Sequence, residues 1–175
     1  VFVQSFYRAN LRYVVLYDED KWSKLIEVLR KVPGSAIIYV RSRLETTEIA
    51  RKLVRIGITA WPYHAGLSPN QRNRVQEDWK RNATRVIVAT NAFGMGVDKP
   101  DVRLVVHYRM PLDLESYYQE AGRAGRDAQP AFALAFLAPP DAENLRYAFA
   151  QQHPTWQQLC TVYETVCNAC GVDNR

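Results

Sequence analysis

Short apolar runs rich in β-branched residues punctuate the chain: AIIYV at 36–40, RVIVAT at 85–90, VRLVVHY at 102–108 and AFALAFL at 131–137. A run with no polar face has to be buried on both sides, which is the environment inside a parallel sheet. The stretches between them carry the other period. Trp22, Leu25, Ile26, Leu29 and Val32 recur at helical spacing until Pro33-Gly34, and Leu44, Thr47, Ala50, Leu53 and Val54 share a face until Gly57. Ile58 to Tyr63 reads as a further strand. Ser68 then opens a third helix as N-cap, with Pro69 at N1 and Gln71 completing a capping box, and Asp113 caps a fourth running to about Ala124. Strand and helix in alternation predict an α/β fold, a mostly parallel sheet with helices on both faces. After Pro139-Pro140 the alternation stops, and helical patterns fill 141–150 and 155–170. The predicted organisation is an α/β domain over 1–138 and a short helical extension over 139–175.

Composition narrows the classes. With 47% hydrophobic and 23% charged residues in 175, the chain can bury a real core and is neither disordered nor collagen-like. The apolar runs are far shorter than a bilayer-spanning helix, so no membrane segment is expected. A start at Val1 without a basic, apolar secretory leader suggests a piece of a longer protein. The net charge of +5 permits a polyanionic partner without requiring one. Cys160, Cys167 and Cys170 are odd in number and crowded at one end, which suits a reducing, intracellular setting, cytoplasmic or nuclear.

In a parallel α/β sheet, ligands sit outside the carboxyl ends of the strands, so the loops RSR (41–43), HAGL (64–67), NAFGMGVDKP (91–100) and RMPLD (109–113) are where chemistry is expected. Arg41, Ser42 and Arg43 suit backbone phosphates, or form an ordinary solvated loop. In 89–102, Gly94 and Gly96 free backbone N–H groups for an anion, Thr90 offers a hydroxyl, and Asp98 can accept from a ribose; a glycine-rich surface loop is the alternative, since the third glycine of a dinucleotide fingerprint is missing. QEAGRAGRD (119–127) places Arg123 and Arg126 three apart between Gly122 and Gly125. Paired guanidiniums can hold the charge developing on a transferred phosphoryl group, and they can equally be a basic helix end favoured by its dipole. His107 reads as a packed or a catalytic strand-end histidine. Trp61 and Trp79 read as packing residues that could also stack bases.

Taken in order, SFYRANL, SAIIYVRSR, YHAGLSPNQR, VIVATNAFGMGVDKPDVRLVVHY and YYQEAGRAGRD resemble the second RecA-like motor domain of superfamily 2 helicases, and within them the RecQ family of DNA helicases. The resemblance spans about Ser5 to Leu137. DEAD-box RNA helicases share the layout but usually carry an arginine before the glycine of the GVD segment and a His in place of Gln119. The resemblance implies that Arg123 and Arg126 are arginine fingers for the γ-phosphate of ATP held mainly by a first RecA-like domain, with Gln119 and Gly122 in the same motif and Arg126 the more indispensable. It implies that Asp98 and Gly96 lie near the nucleotide, and that Arg41, Ser42, Arg43, His64, Gly66, Thr90 and Lys99 line a DNA track. Arg8 and Asn10 match the segment leading in from the first motor domain. The implied activity is ATP- and Mg2+-dependent 3′ to 5′ unwinding of DNA, acting on single strands and duplex junctions.

No GxxxxGK[ST] loop and no DExH motif occur, and Asp18-Glu19-Asp20 reads instead as the acidic start of a helix. The chain alone is therefore expected to hydrolyse no ATP. RecQ enzymes typically follow the motor with a four-cysteine zinc subdomain, and Cys167-Asn168-Ala169-Cys170 has the spacing of half a zinc site. Yet Leu159, Val162, Tyr163, Val166 and Cys170 also recur at helical spacing, so the cysteines are read as members of an apolar packing face and no metal is assigned. An RNA-directed motor and a non-catalytic nucleic-acid interaction module are the alternative functions.

Overall fold

The computed structural model describes residues 8–93, 98–152 and 155–170, with the backbone alone described for Gln151, Gln152 and Cys170. Strands β1 (Leu11–Tyr17), β2 (Ser35–Tyr39), β3 (Ala60–Tyr63), β4 (Val86–Ala89), β5 (Val102–His107) and β6 (Ala131–Leu137) form a single sheet in the order β1-β6-β5-β2-β4-β3. Every pairing is parallel. The helices are α1 (Lys21–Lys31), α2 (Arg43–Arg55), α3 (Pro69–Lys80), α4 (Leu114–Ala121), α5 (Pro139–Gln152) and α6 (Trp156–Cys170).

Side chains alternate across the central strands and build two cores. Ile37, Tyr39, Ile87, Ala89, Val105 and Ala133 pack with Val75 and Trp79 of α3 and Ala121 of α4. Ala36, Ile38, Val86, Val88, Leu104 and Val106 pack with Leu25 and Leu29 of α1 and Ile49, Ala50 and Leu53 of α2. The capping box at Ser68 forms as predicted, with the Ser68 hydroxyl accepting from the Gln71 N–H while the Gln71 side chain accepts from the Ser68 N–H. Asp113 caps α4 through the Ser116 N–H at 2.7 Å.

Several expectations are corrected. Leu11–Tyr17 is an edge strand that the lead-in segment did not suggest; only Leu11 is buried, while Tyr13, Val15 and Tyr17 stand exposed, so it lacks the uniform apolarity of the other runs. Helix α4 stops at Ala121, because Gly125, at φ +60°, turns the chain towards the sheet. Leu159, Val162, Tyr163 and Val166 do not form a packed face: all are about half exposed or more, and among the described side chains of α6 Cys167 alone is buried. Trp61 is exposed on the edge strand β3, whereas Trp79 is 1% exposed against Phe93. Helix α5 is tied to the sheet through Asp141, whose carboxylate lies 2.5 Å from the buried ammonium of Lys21. Among the described residues, no helix is long and apolar enough to cross a membrane.

Candidate functional site

The segment after α4 carries two arginines outward because small residues take the inward positions. Ala121 and Ala124 are fully buried, and Gly125 donates its N–H to the Val102 carbonyl at 2.8 Å, seating the turn on the amino end of β5. A Cβ at Gly125 would lie 2.6 Å from Asn10 Nδ2 and 2.8 Å from the Ala131 side chain, so no other residue fits there. Arg8 and Asn10 close the arrangement from the other side. Arg8 donates to the Gly122 carbonyl at 3.1 Å and also to that of Gly125, and Asn10 Nδ2 donates to Gly125 at 2.7 Å and to Gln129 at 2.9 Å. These are carbonyls of the turn beyond α4, where no regular element supplies a partner. The glycines of the motif thus bring the chain close, and the lead-in residues hold it.

Arg123 and Arg126 border an open cleft together with Gln119, Gly122, Asn91 and Phe93. Arg126 is 40% exposed and pairs with the exposed Asp98 at 2.8 Å. Arg123 is tucked beside Tyr39. Burial pushes the Tyr39 phenol far above its ordinary value, with the nearby Arg123 charge working in the opposite direction. The Nε of Arg123 is buried without a hydrogen-bond partner. Gln119 is held by Glu115 at 3.0 Å. Both guanidiniums therefore border open space instead of being sealed in ion pairs. Gly96 lies outside the described residues, so Asp98 is the described member of that loop near the cleft.

A second cleft lies at the carboxyl ends of the strands, lined by Arg41, Asn91, Arg109, Met110, Ser116 and Glu120. Arg41 reaches the Met110 carbonyl through Nε at 2.8 Å and again through Nη2, and burial and the charge of Arg109 lower its pKa. Arg43, His64 and Gly66 come together: a Cβ on Gly66 would meet Arg43 Nη1 at 3.0 Å and His64 Nδ1 at 3.1 Å. Burial and then the Arg43 charge hold His64 below its ordinary pKa, which favours the neutral ring. Ser42 is committed to capping α2, accepting from the Glu45 N–H at 3.1 Å. Thr90 is nearly buried, and its hydroxyl accepts from the Ala92 N–H at 3.4 Å.

Lys99 does not belong with this group. Its ammonium is buried at the opposite end of the sheet, against Asp101 at 2.8 Å, the Asn82 side chain at 2.9 Å and the Lys80 carbonyl at 3.2 Å. A cation whose hydrogens are spent on internal partners has none to offer a phosphate, so the expectation that Lys99 faces DNA is withdrawn. Sequence reasoning also passed over Arg109, which bonds Glu45 at 2.9 Å, and over Asn91 and Glu120, which border both clefts. The signal for Arg109 and Asn91 was their place immediately after a strand; Glu120 sits inside a helix and gave none. Cys160 and Cys167 are free thiols, and among the described residues no three His, Cys, Asp or Glu side chains gather as a metal site.

The sequence model of the helicase conserved C-terminal domain matches residues 20–128, from the start of α1 through the arginine turn. The chain belongs to that family. Relatives of this helicase domain include the RecQ-like DNA helicase blm-1 of Caenorhabditis elegans, 43% identical over 89% of the chain and 16% of that protein. The ATP-dependent DNA helicase RecQ of Pasteurella multocida is 46% identical over 81% of the chain and 22% of that protein. The helicase domain thus spans under a quarter of the length of both relatives. Among solved structures, the yeast DEAD-box splicing factor Prp28 superposes with a TM-score of 0.75 at 26% identity, over 87% of the chain and 35% of that one. A DEAD box protein from Methanococcus jannaschii gives 0.69 at 28%, over 79% and 39%. The RecA-like architecture is therefore the helicase fold.

Proposed function

We propose that this domain is the second motor domain of an ATP-dependent DNA helicase of RecQ type. In this reading, Arg126 and Arg123 complete a triphosphate site built mainly by a first RecA-like domain, and the Arg41 cleft forms part of the path of one DNA strand. The observation that carries the proposal is the open cleft bearing two arginines, one of them paired with an exposed carboxylate. Such a guanidinium can leave its surface partner at little cost and turn to a γ-phosphate, where stabilisation of transferred charge is worth about 10³ to 10⁵ in rate in related systems. The donors fit the ligand's chemistry: the cleft presents the guanidinium cations of Arg123 and Arg126. In this reading the Mg2+ that accompanies the nucleotide is held by the first RecA-like domain.

Contacts from Arg41, Arg43 and Arg109 to phosphates would read little sequence and weaken with salt. The test is unwinding by the longer protein carrying this domain, with matched DNA and RNA duplexes. DNA unwinding that stops without ATP supports the proposal. Preference for RNA supports the RNA-directed alternative, and binding without unwinding supports an interaction module. The chain by itself should release no phosphate from ATP, and clear turnover by pure material would overturn the division of labour.

A further inference from the structure

The two clefts share three residues: Asn91 of the loop after β4, and Ser116 and Glu120 from the first and last turns of α4. Glu120 is the one held from beneath. Its Oε2 lies 2.9 Å from Nε2 of His107, the last residue of β5, and the two side chains are 13% and 0% exposed. The imidazole is clamped between rings, stacked on Tyr39 at 5.6 Å with a 19° interplanar angle and tilted against Tyr117 at 4.7 Å. Its Nδ1 has no partner, so the bond to Glu120 is the polar contact that fixes the ring. Each neighbour leads onward. Tyr39 donates its hydroxyl to the Phe93 carbonyl at 3.0 Å, and Phe93 borders the arginine cleft. Glu120 itself accepts, through its backbone carbonyl, the N–H of Arg123 at 3.2 Å. On the other side, the charge of Glu120 acts on Arg41.

A buried hydrogen-bonded carboxylate at a helix end, two and three residues before a functional turn, is costly to bury and contributes geometry that packing alone would not. Resting on the motor reading above, we propose that the His107–Glu120 pair is a positioning element that couples contact with DNA at the Arg41 cleft to the placement of Arg123 and Arg126 for ATP hydrolysis. His107, fully buried, reaches neither cleft and acts through Glu120, which borders both. The pair sets where the last turn of α4 sits relative to β5, and so the offset between the two clefts. Without it the arginines and the phosphate-binding loops are all still present, but strain at one cleft is no longer handed to the other.

The experiment measures ATP turnover with and without single-stranded DNA, together with KM for ATP and the DNA Kd, in the longer protein that carries this domain. Two variants cut the link from opposite ends: Glu120→Ala, and His107→Leu, which keeps an apolar side chain of similar bulk in the core. A folded variant of either kind should lose about 10- to 100-fold in DNA-stimulated kcat, as misplacement by about an ångström does elsewhere, with KM for ATP and DNA Kd within a few-fold of the parent. Glu120→Gln keeps an acceptor for Nε2 and should restore most of the stimulation. Full DNA stimulation in a folded Glu120→Ala or His107→Leu protein overturns the proposal, and so does a loss that appears in KM or Kd instead of kcat. Arg126→Ala serves as the control. If it leaves turnover intact, the motor reading itself has failed; if it abolishes turnover while the pair variants remain fully stimulated, only the coupling has failed.

Discussion

Nη1 of Arg126 and Oδ1 of Asp98 stand 2.8 Å apart with both side chains well exposed, so one of two candidate nucleotide residues is the other's partner. An exposed pair of this kind contributes little to stability. Its use is orientation: Asp98 keeps the guanidinium over the cleft edge until a stronger anion competes for it. Asp98→Asn should therefore move the melting temperature of the chain by less than about 4 °C. A larger loss in a thermal melt would make the pair a structural tie.

Gly125 is where the fold and the site share one backbone position. Its φ of +60° and the 2.6 to 2.9 Å approaches of Asn10, Ala131 and Gln129 leave no room for a methyl group. Gly125→Ala should cost roughly 1–3 kcal/mol, about 2–12 °C in melting temperature, and free the turn from β5. Amide exchange at Gly125, whose N–H is bonded to Val102, would speed up; unchanged exchange and stability would contradict this account.

Asp141 reports on acid. Burial raises its carboxyl pKa, but the hydrogen bonds from Lys21 and the Ala138 N–H and the charges of Lys21 and Arg109 outweigh that and leave it below the ordinary value. A carboxyl lowered on folding adds stability that is present above the usual carboxylate range and is lost as pH falls through its folded pKa. Asp141→Asn leaves the Lys21 ammonium, 7% exposed, with the Tyr108 and Phe136 carbonyls but no countercharge, and should cost about 3 kcal/mol near neutrality. Urea melts across pH should show the gap between parent and variant closing in acid. A gap independent of pH would contradict the pairing.

His64 reports on the charge of Arg43. Burial lowers its pKa first and the charge of Arg43 second, from an ordinary 6.5. In Arg43→Ala the ring should titrate at higher pH than in the parent, while still remaining below 6.5 because burial persists. Proton NMR of the imidazole gives both values, and no movement would place Arg43 out of range.

The central strands were legible because β2, β4, β5 and β6 are nearly continuous apolar runs buried on both faces, and Ser68 and Asp113 announce their helices through local capping chemistry that needs no tertiary context. The edge strand β1 was not, since LRYVVLY is neither uniformly apolar nor cleanly alternating. Arg41, placed directly after a strand, lines the cleft at the carboxyl ends. Lys99 was misplaced because the loop that follows β4 runs back to the far end of the sheet, and its length gives no direction. Glu120 and His107 were invisible as a pair, because thirteen residues separate them and only the packing of α4 on β5 brings them together.

The central claim is that Arg126 completes a nucleotide site contributed by another domain. The direct measurement is steady-state ATP hydrolysis by the longer protein at saturating single-stranded DNA, comparing the parent with Arg126→Ala and monitoring DNA binding alongside. The account predicts a fall of about 10³-fold or more in turnover, with DNA affinity within a few-fold of the parent. Turnover that survives the substitution would contradict it.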